Sequence, residues 1–205
     1  MAQPDDRCQI YLCVPGDIDP SQLDAFLADD GLDHVACVML RAGPSGEINT
    51  ALGEKLSGAA HGRELALVVE NDVAAAVRLG ADGVHTGADE DAYDAARGKL
   101  GDDAIVGAGC GLSRHAALTM AERGADYVAF AGDQAELREL VEWWAEVTVV
   151  PCVAWDVPDI ETAMLMAEAG ANFIAVEPFG WGHADGPAAA LRQLSERLAA
   201  VKAAA

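Results

Sequence analysis

Ala74-Ala75-Ala76-Val77-Arg78-Leu79-Gly80-Ala81-Asp82-Gly83-Val84 reads as the end of a helix, a stop and the start of a strand. Two further stretches, Ala117 to Val128 and Ala163 to Ile174, read alike. Each brings a helical pattern to a Gly (80, 124, 170), then an Ala, then Asp or Asn, then an apolar run. Gly in that place supplies the left-handed residue that commonly ends a helix. The stops lie 44 and 46 residues apart (80 to 124, 124 to 170), about two strand–helix units each. Such spacing argues for a regular α/β array.

Worked outward from these stops, apolar runs predict strands near 9–14, 34–40, 64–69, 83–86, 104–107, 126–130, 148–154 and 172–176. They are short and rich in Val, Ile, Leu, Ala and Cys, as parallel strands buried on both faces are. Helical patterns fill the gaps at 20–29, 49–60, 72–79, 89–99, 113–123, 134–146, 158–169 and 187–202. Pro20, Pro158 and Pro187 each sit at a first helical turn, where a missing N–H costs nothing. Eight alternations in 205 residues predict a compact (β/α)8 TIM barrel forming a single domain over 1–205. A doubly wound open sheet comes second; equal unit lengths and the count of eight favour the barrel. The longest loops, Arg41 to Ile48 and Glu177 to Gly186, both follow strands and are expected on the catalytic rim.

Hydrophobic residues make up 52%, yet no apolar run nears the roughly 18–20 residues that cross a membrane. Met1 to Arg7 is polar and lacks the order of a signal peptide, so the expectation is a cytoplasmic protein. The tail from Lys202 to Ala205 is expected to fray. Net charge is −21, with Lys only at 55, 99 and 202, a field that repels nucleic acid and anionic membranes. A homo-oligomer is left open. Cys8, Cys13, Cys37, Cys110 and Cys152 are odd in number and far apart, giving neither a disulfide framework nor a zinc pattern. Cys13, Cys37 and Cys152 lie in strand-like runs as small buried hydrophobes.

Chemistry concentrates where predicted strands end. The third runs into Glu70-Asn71-Asp72 and the fourth, through His85, into Asp89-Glu90-Asp91. Parallel strands bring both clusters to one rim, and opposed carboxylates suit a hard cation such as Mg²⁺ shared with substrate phosphates. Helix capping by Asx residues is the competing reading. Arg41 ends the second strand, either forked onto a diphosphate or solvated at the rim. His85 is a polar contact or base, or else a structural hydrogen-bonding group. Gly107-Ala108-Gly109-Cys110-Gly111 offers backbone N–H groups to an anion. Arg114 and His115 follow just inside the next helix, and Trp143-Trp144 reads as helix packing.

These residues carry a resemblance to the thiamine phosphate synthase family, which includes a thiazole tautomerase branch. The family's Asn-Asp-Arg motif stands here as Asn71-Asp72-Val73, and its Gly-Val-His-Leu-Gly-Gln-x-Asp stretch as Gly83 to Glu90. Its Gly-Ala-Asp-Tyr-Val is Gly124 to Val128. The resemblance implies a compact (β/α)8 barrel that joins hydroxymethylpyrimidine diphosphate to thiazole phosphate and releases pyrophosphate, with Mg²⁺ as cofactor and phosphorylated small molecules as partners. It implies Asn71 and His85 at the substrate, Asp72 on Mg²⁺, and a second metal carboxylate at Glu90 or Asp91. Arg41 takes the place of a basic residue that binds substrate and acts in catalysis, and Cys110 that of the family's serine, catalytic and substrate-binding, in a loop where Gly109 also binds substrate.

Departures sit in the same region. A lysine of the family's second-strand loop falls on Gly43, its Gln falls on Met39, and the Thr-x-Thr-Lys loop after strand six is missing. Trp155-Asp156-Val157 replaces a Gly-Gly phosphate turn, and strand eight ends in Glu177-Pro178, where Pro has no N–H for an anion. Two readings follow: an enzyme of the family, or a degenerate barrel binding another small ligand or a protein partner. The aromatic segment Phe179-Gly180-Trp181-Gly182-His183 belongs to the second, either covering an apolar ligand or packing on the rim.

Overall fold

A computed structural model describes residues 8–202. The polar stretch Met1 to Arg7 and the last residues of the tail lie outside the described range. Strand and helix alternate in the expected order: β1 (Gln9–Val14), α1 (Pro20–Ala28), β2 (Cys37–Leu40), α2 (Thr50–His61), β3 (Ala66–Glu70) and α3 (Val73–Leu79). Next come β4 (Gly83–Gly87), α4 (Glu90–Leu100), β5 (Ile105–Gly109), α5 (Arg114–Glu122), β6 (Tyr127–Phe130) and α6 (Gln134–Val147). The chain ends with β7 (Cys152–Ala154), α7 (Ile160–Glu168), β8 (Phe173–Val176), α8 (Pro178–Trp181) and α9 (Pro187–Lys202). The eight strands form a closed parallel barrel in sequence order, with β1 paired to β8.

Two strands, β2 and β7, begin three and four residues later than their composition predicts. Residues 34–36 belong to or follow a 3-10 turn, Gly31–His34, and α6 runs on to Val147 before a turn that leaves Val149 fully exposed. Pro158 lies ahead of the α7 cap Asp159 rather than in the first turn, whereas Pro20 and Pro187 open their helices. The loop after β8 contains α8, a short helical turn absent from the sequence reading.

The Gly-Ala-Asp/Asn repeat has a double role. Gly80, Gly124 and Gly170 adopt φ of 61, 87 and 103°, which L side chains resist. The acid or amide two residues on reaches sideways to the preceding strand. Asp82 accepts from the Leu67 N–H (2.8 Å), Asp126 from Val106 (2.8 Å) and Asn172 from Cys152 (2.9 Å). Each thus satisfies a strand-entry donor that the ladder leaves open.

At the opposite rim, α1 to α7 each start with a side chain that accepts a first-turn N–H: Asp19, Asn49, Asp72, Asp89, Ser113, Asp133 and Asp159. Each such cap is worth about 1 kcal/mol. Between barrel and helices lies one large apolar layer; Trp144 in α6 is buried there, giving its indole N–H to the Val150 carbonyl (2.8 Å). Cys13, Cys37 and Cys152 are buried among apolar neighbours, as read from the sequence.

A second, smaller cluster fills the barrel itself, with Tyr11, Met39, Val68, Tyr127 and Val153 among its members. One tight fit is Gly107 on β5, where an added Cβ would lie 2.0 Å from the Tyr127 ring. We therefore expect Gly107→Ala to destabilise the fold by about 3 kcal/mol. Gly98→Ala, on an open helical position, should stabilise it by about 0.5–1 kcal/mol. Urea denaturation followed by circular dichroism reads both.

Candidate active site

Every second residue of a strand faces the barrel interior. The alternation that places Met39, Val68 and Ala175 inside puts Arg41, Glu70 and Glu177 two residues further on, at the C-terminal mouth. There they meet. Glu70 accepts from Arg41 Nη2 at 3.2 Å and Nε at 3.4 Å, and also from the Ala42 N–H at 2.9 Å. Glu177 accepts from Arg41 Nη1 at 2.5 Å. Partial burial opposes the guanidinium charge, but hydrogen bonds to Glu70 and Glu177 outweigh it and raise the pKa of Arg41.

His85 stands beside Glu70 in the strand register. Its Nδ1 shares a hydrogen bond with the Tyr127 hydroxyl (3.0 Å), which shares another with the Tyr11 hydroxyl (2.7 Å). The Tyr127 ring stacks on the imidazole at 5.7 Å, and the Trp155 ring lies 5.0 Å away. Gly109 gives that ring its space, since a Cβ there would come within 3.1 Å of Nε2. Burial holds the His85 pKa down to about 4, with Glu70 pulling it up and Arg41 pushing it down more weakly. The imidazole is neutral at pH 7. The structural hydrogen bond foreseen as one option for His85 is present, and Nε2 has no partner among the described residues.

The other expected residues divide. Asn71 follows Glu70 in a left-handed conformation (φ 51°) that Asn tolerates, its N–H bonded to the His85 carbonyl at 2.8 Å and its side chain exposed. Asp72 is half-buried, with Oδ1 capping α3 through the Ala75 N–H (2.8 Å). Asp89 caps α4, so the capping reading of both acidic clusters holds. Asp91 lies exposed in the first turn of α4. Glu90 turns away: its carboxylate pairs with Arg123 on the outer helix face, which removes it from the expected metal pair.

Cys110 also departs from expectation. It is buried in the apolar layer outside the strands, Sγ facing the Ala108 carbonyl at 3.5 Å, and burial pushes its thiol up to about 12. It stays protonated and does not reach the mouth. Arg114 lies over the Trp143 ring at 4.7 Å, and Trp181 packs on Phe26 while its N–H meets the Cys13 carbonyl at 2.8 Å. The aromatic segment after β8 therefore packs on the rim. After β6, Ala131-Gly132 leads directly to the α6 cap Asp133, so no lysine loop stands there.

Among the described residues, no three His, Cys, Asp or Glu side chains form a ready-made metal cage. Mg²⁺ asks for less, usually one or two carboxylates with the rest supplied by substrate oxygens and water. Asp72 and Asp91 carry no ion pair among the described residues and have the oxygen chemistry such a set needs, whereas Glu90 is already paired. Tyr11 and Tyr127 are interior residues given no role from sequence, and Glu70, read there only as part of an acidic cluster, is found holding Arg41. Only the two-residue spacing of Tyr127 ahead of the rim could have pointed to one of them.

The sequence profile of the thiamine monophosphate synthase family matches residues 10–177. A thiamine-phosphate synthase of Rhodospirillum centenum is 40% identical over 90% of this chain and 94% of its own. One of Erythrobacter litoralis is 35% identical over 98% and 100%. A thiamine phosphate pyrophosphorylase from Pyrococcus furiosus superposes with a TM-score of 0.76 at 21% identity, covering 94% of this chain and 98% of that one. That structural likeness speaks for the fold.

Neutral His85 has a consequence for stability. The unfolded imidazole takes up a proton near 6.5, the buried one only near 4. Below pH 6.5 the unfolded chain binds more protons, so acidification favours unfolding until pH 4 is passed. Between pH 7 and pH 4 the wild type should lose about 3 kcal/mol more stability than His85→Gln. Parallel urea titrations at the two pH values measure this difference, with the carboxylates common to both proteins cancelling.

Proposed function

The chain belongs to the thiamine monophosphate synthase family, and we propose that its barrel mouth joins hydroxymethylpyrimidine diphosphate to thiazole phosphate. It is a transferase: the bond from the pyrimidine methylene carbon to the diphosphate oxygen breaks, and that carbon bonds to the thiazole nitrogen. Pyrophosphate leaves with the electron pair. What supports this placement is that the matched span, residues 10–177, takes in the whole mouth from Arg41 through Asp72 and His85 to Glu177.

In this reading the Asn71 amide donates to the diphosphate, and Asp72 with Asp91 supplies carboxylate oxygens for Mg²⁺. Bound there, the metal would neutralise charge on the leaving group. Arg41 donates to the same oxygens through its planar fork. Neutral His85, stacked with Tyr127 and close to Trp155, presents uncharged aromatic surface where positive charge develops on the pyrimidine. A protonated imidazole there would oppose that charge. We place the reaction in the cytoplasm, on phosphorylated small molecules.

The second reading, a barrel without turnover, draws on Arg41 being engaged by two carboxylates and on the absence of a lysine after β6. Incubation with both substrates and Mg²⁺ decides between them. We expect thiamine phosphate and pyrophosphate in equal amounts. Chelation should abolish turnover, and Asp72→Ala should lower kcat/KM by about 100-fold. Binding of both substrates with no product above the Asp72→Ala background would favour the second reading.

A further inference from the structure

Two carboxylates share one guanidinium at the mouth, and they hold it unequally. Glu70 engages the Nε and Nη2 edge with both oxygens and anchors the Ala42 N–H as well. Glu177 makes a single contact, to Nη1, from the end of β8. The side chains are 34% (Arg41), 16% (Glu70) and 19% (Glu177) exposed, so water screens the group only in part. One positive and two negative charges leave the trio at −1, and an arriving diphosphate adds to that repulsion. One carboxylate has to give way, and it is the one with a single bond. Beside the trio, His85 keeps Nε2 without a partner among the described residues in a buried ring, an open hydrogen-bonding position at the same mouth.

We propose that Glu177 occupies, in the substrate-free chain, the position on Arg41 Nη1 that a diphosphate oxygen takes, and that Glu70 is the positioning residue that keeps Arg41 aimed during the exchange. This rests on the activity proposed above. Glu177 is then an internal competitor that sets how tightly the anion binds. Glu70 does not touch substrate; it acts by fixing the Nε and Nη2 edge. The apparent affinity of a site is reduced by the fraction of molecules in which it is open. If the Glu177-paired form holds nine molecules in ten, freeing Nη1 tightens anion binding about tenfold.

The test uses the full chain and Glu177→Gln, with Glu177→Ala as a second variant should the first not fold, and inorganic pyrophosphate with Mg²⁺ as the calorimetric probe. We expect pyrophosphate to bind the Glu177 variant about tenfold more tightly. The KM for the pyrimidine diphosphate should fall by more than the KM for thiazole phosphate. Glu70→Gln, at unchanged melting temperature, should weaken pyrophosphate binding and lower kcat. A purely structural Glu177 would shift the melting temperature and leave the two KM values in their original ratio. Unchanged or weaker pyrophosphate binding in a folded Glu177 variant overturns the proposal, whether or not the wild type turns over. Tighter binding in a chain that makes no product would support the exchange and overturn the activity instead.

Discussion

Eight parallel strands closed into a ring enclose a narrow interior, and every second residue of each strand must fit inside it. Here that interior holds Tyr11, Met39 and Tyr127, with the half-buried Trp155 packed against them. Space for them comes from β4 and β5, whose inward positions include Gly83 and Gly107. The inward glycines of β4 and β5 thus make room for the aromatic rings that come from β1, β6 and the end of β7. His85 leans into the gap left by Gly109, and its hydrogen bonds run down through Tyr127 to Tyr11. What stands at the mouth is therefore settled by packing below it.

The same closure explains which readings succeed from sequence alone. The barrel is legible because helix stops at Gly80, Gly124 and Gly170 are local signals, and their spacing repeats. The capping competence of Asp72 and Asp89 is legible for the same reason. The reach of Asp82, Asp126 and Asn172 to a neighbouring strand is not, because its partner N–H lies 15 to 20 residues earlier and is identified only by register.

Side-chain direction is harder still. Ile105 to Gly109 is apolar or glycine throughout, so nothing in its pattern says that Gly109 faces in while the next residue, Cys110, faces out. Glu90 is drawn outward by Arg123, 33 residues later. Glu70 reads from sequence as one of a cation-binding acidic cluster and Glu177 as the end of a strand, and only the fold brings Arg41 between them. Thr148 to Val150 has strand-like composition, yet serves as the turn whose carbonyl holds the Trp144 indole. In each case a partner distant in sequence overrides a local preference.

Neighbouring strands in this ring are also neighbours in sequence, except at one place. The pairing of Gln9 to Leu12 with Phe173 to Val176 joins the two ends of the chain. Seven of the strand pairings can form as the polypeptide lengthens; the eighth carries the large loop-closure cost and awaits almost the whole chain. The contact from Trp181 to Cys13 and the pair of Arg41 with Glu177 bridge the same distant segments. An unclosed barrel has most of its helices and most of its apolar layer, but Arg41 lacks its β8 partner. The Arg41–Glu177 pair is thus a mark of ring closure, present only in molecules whose first and last strands have met.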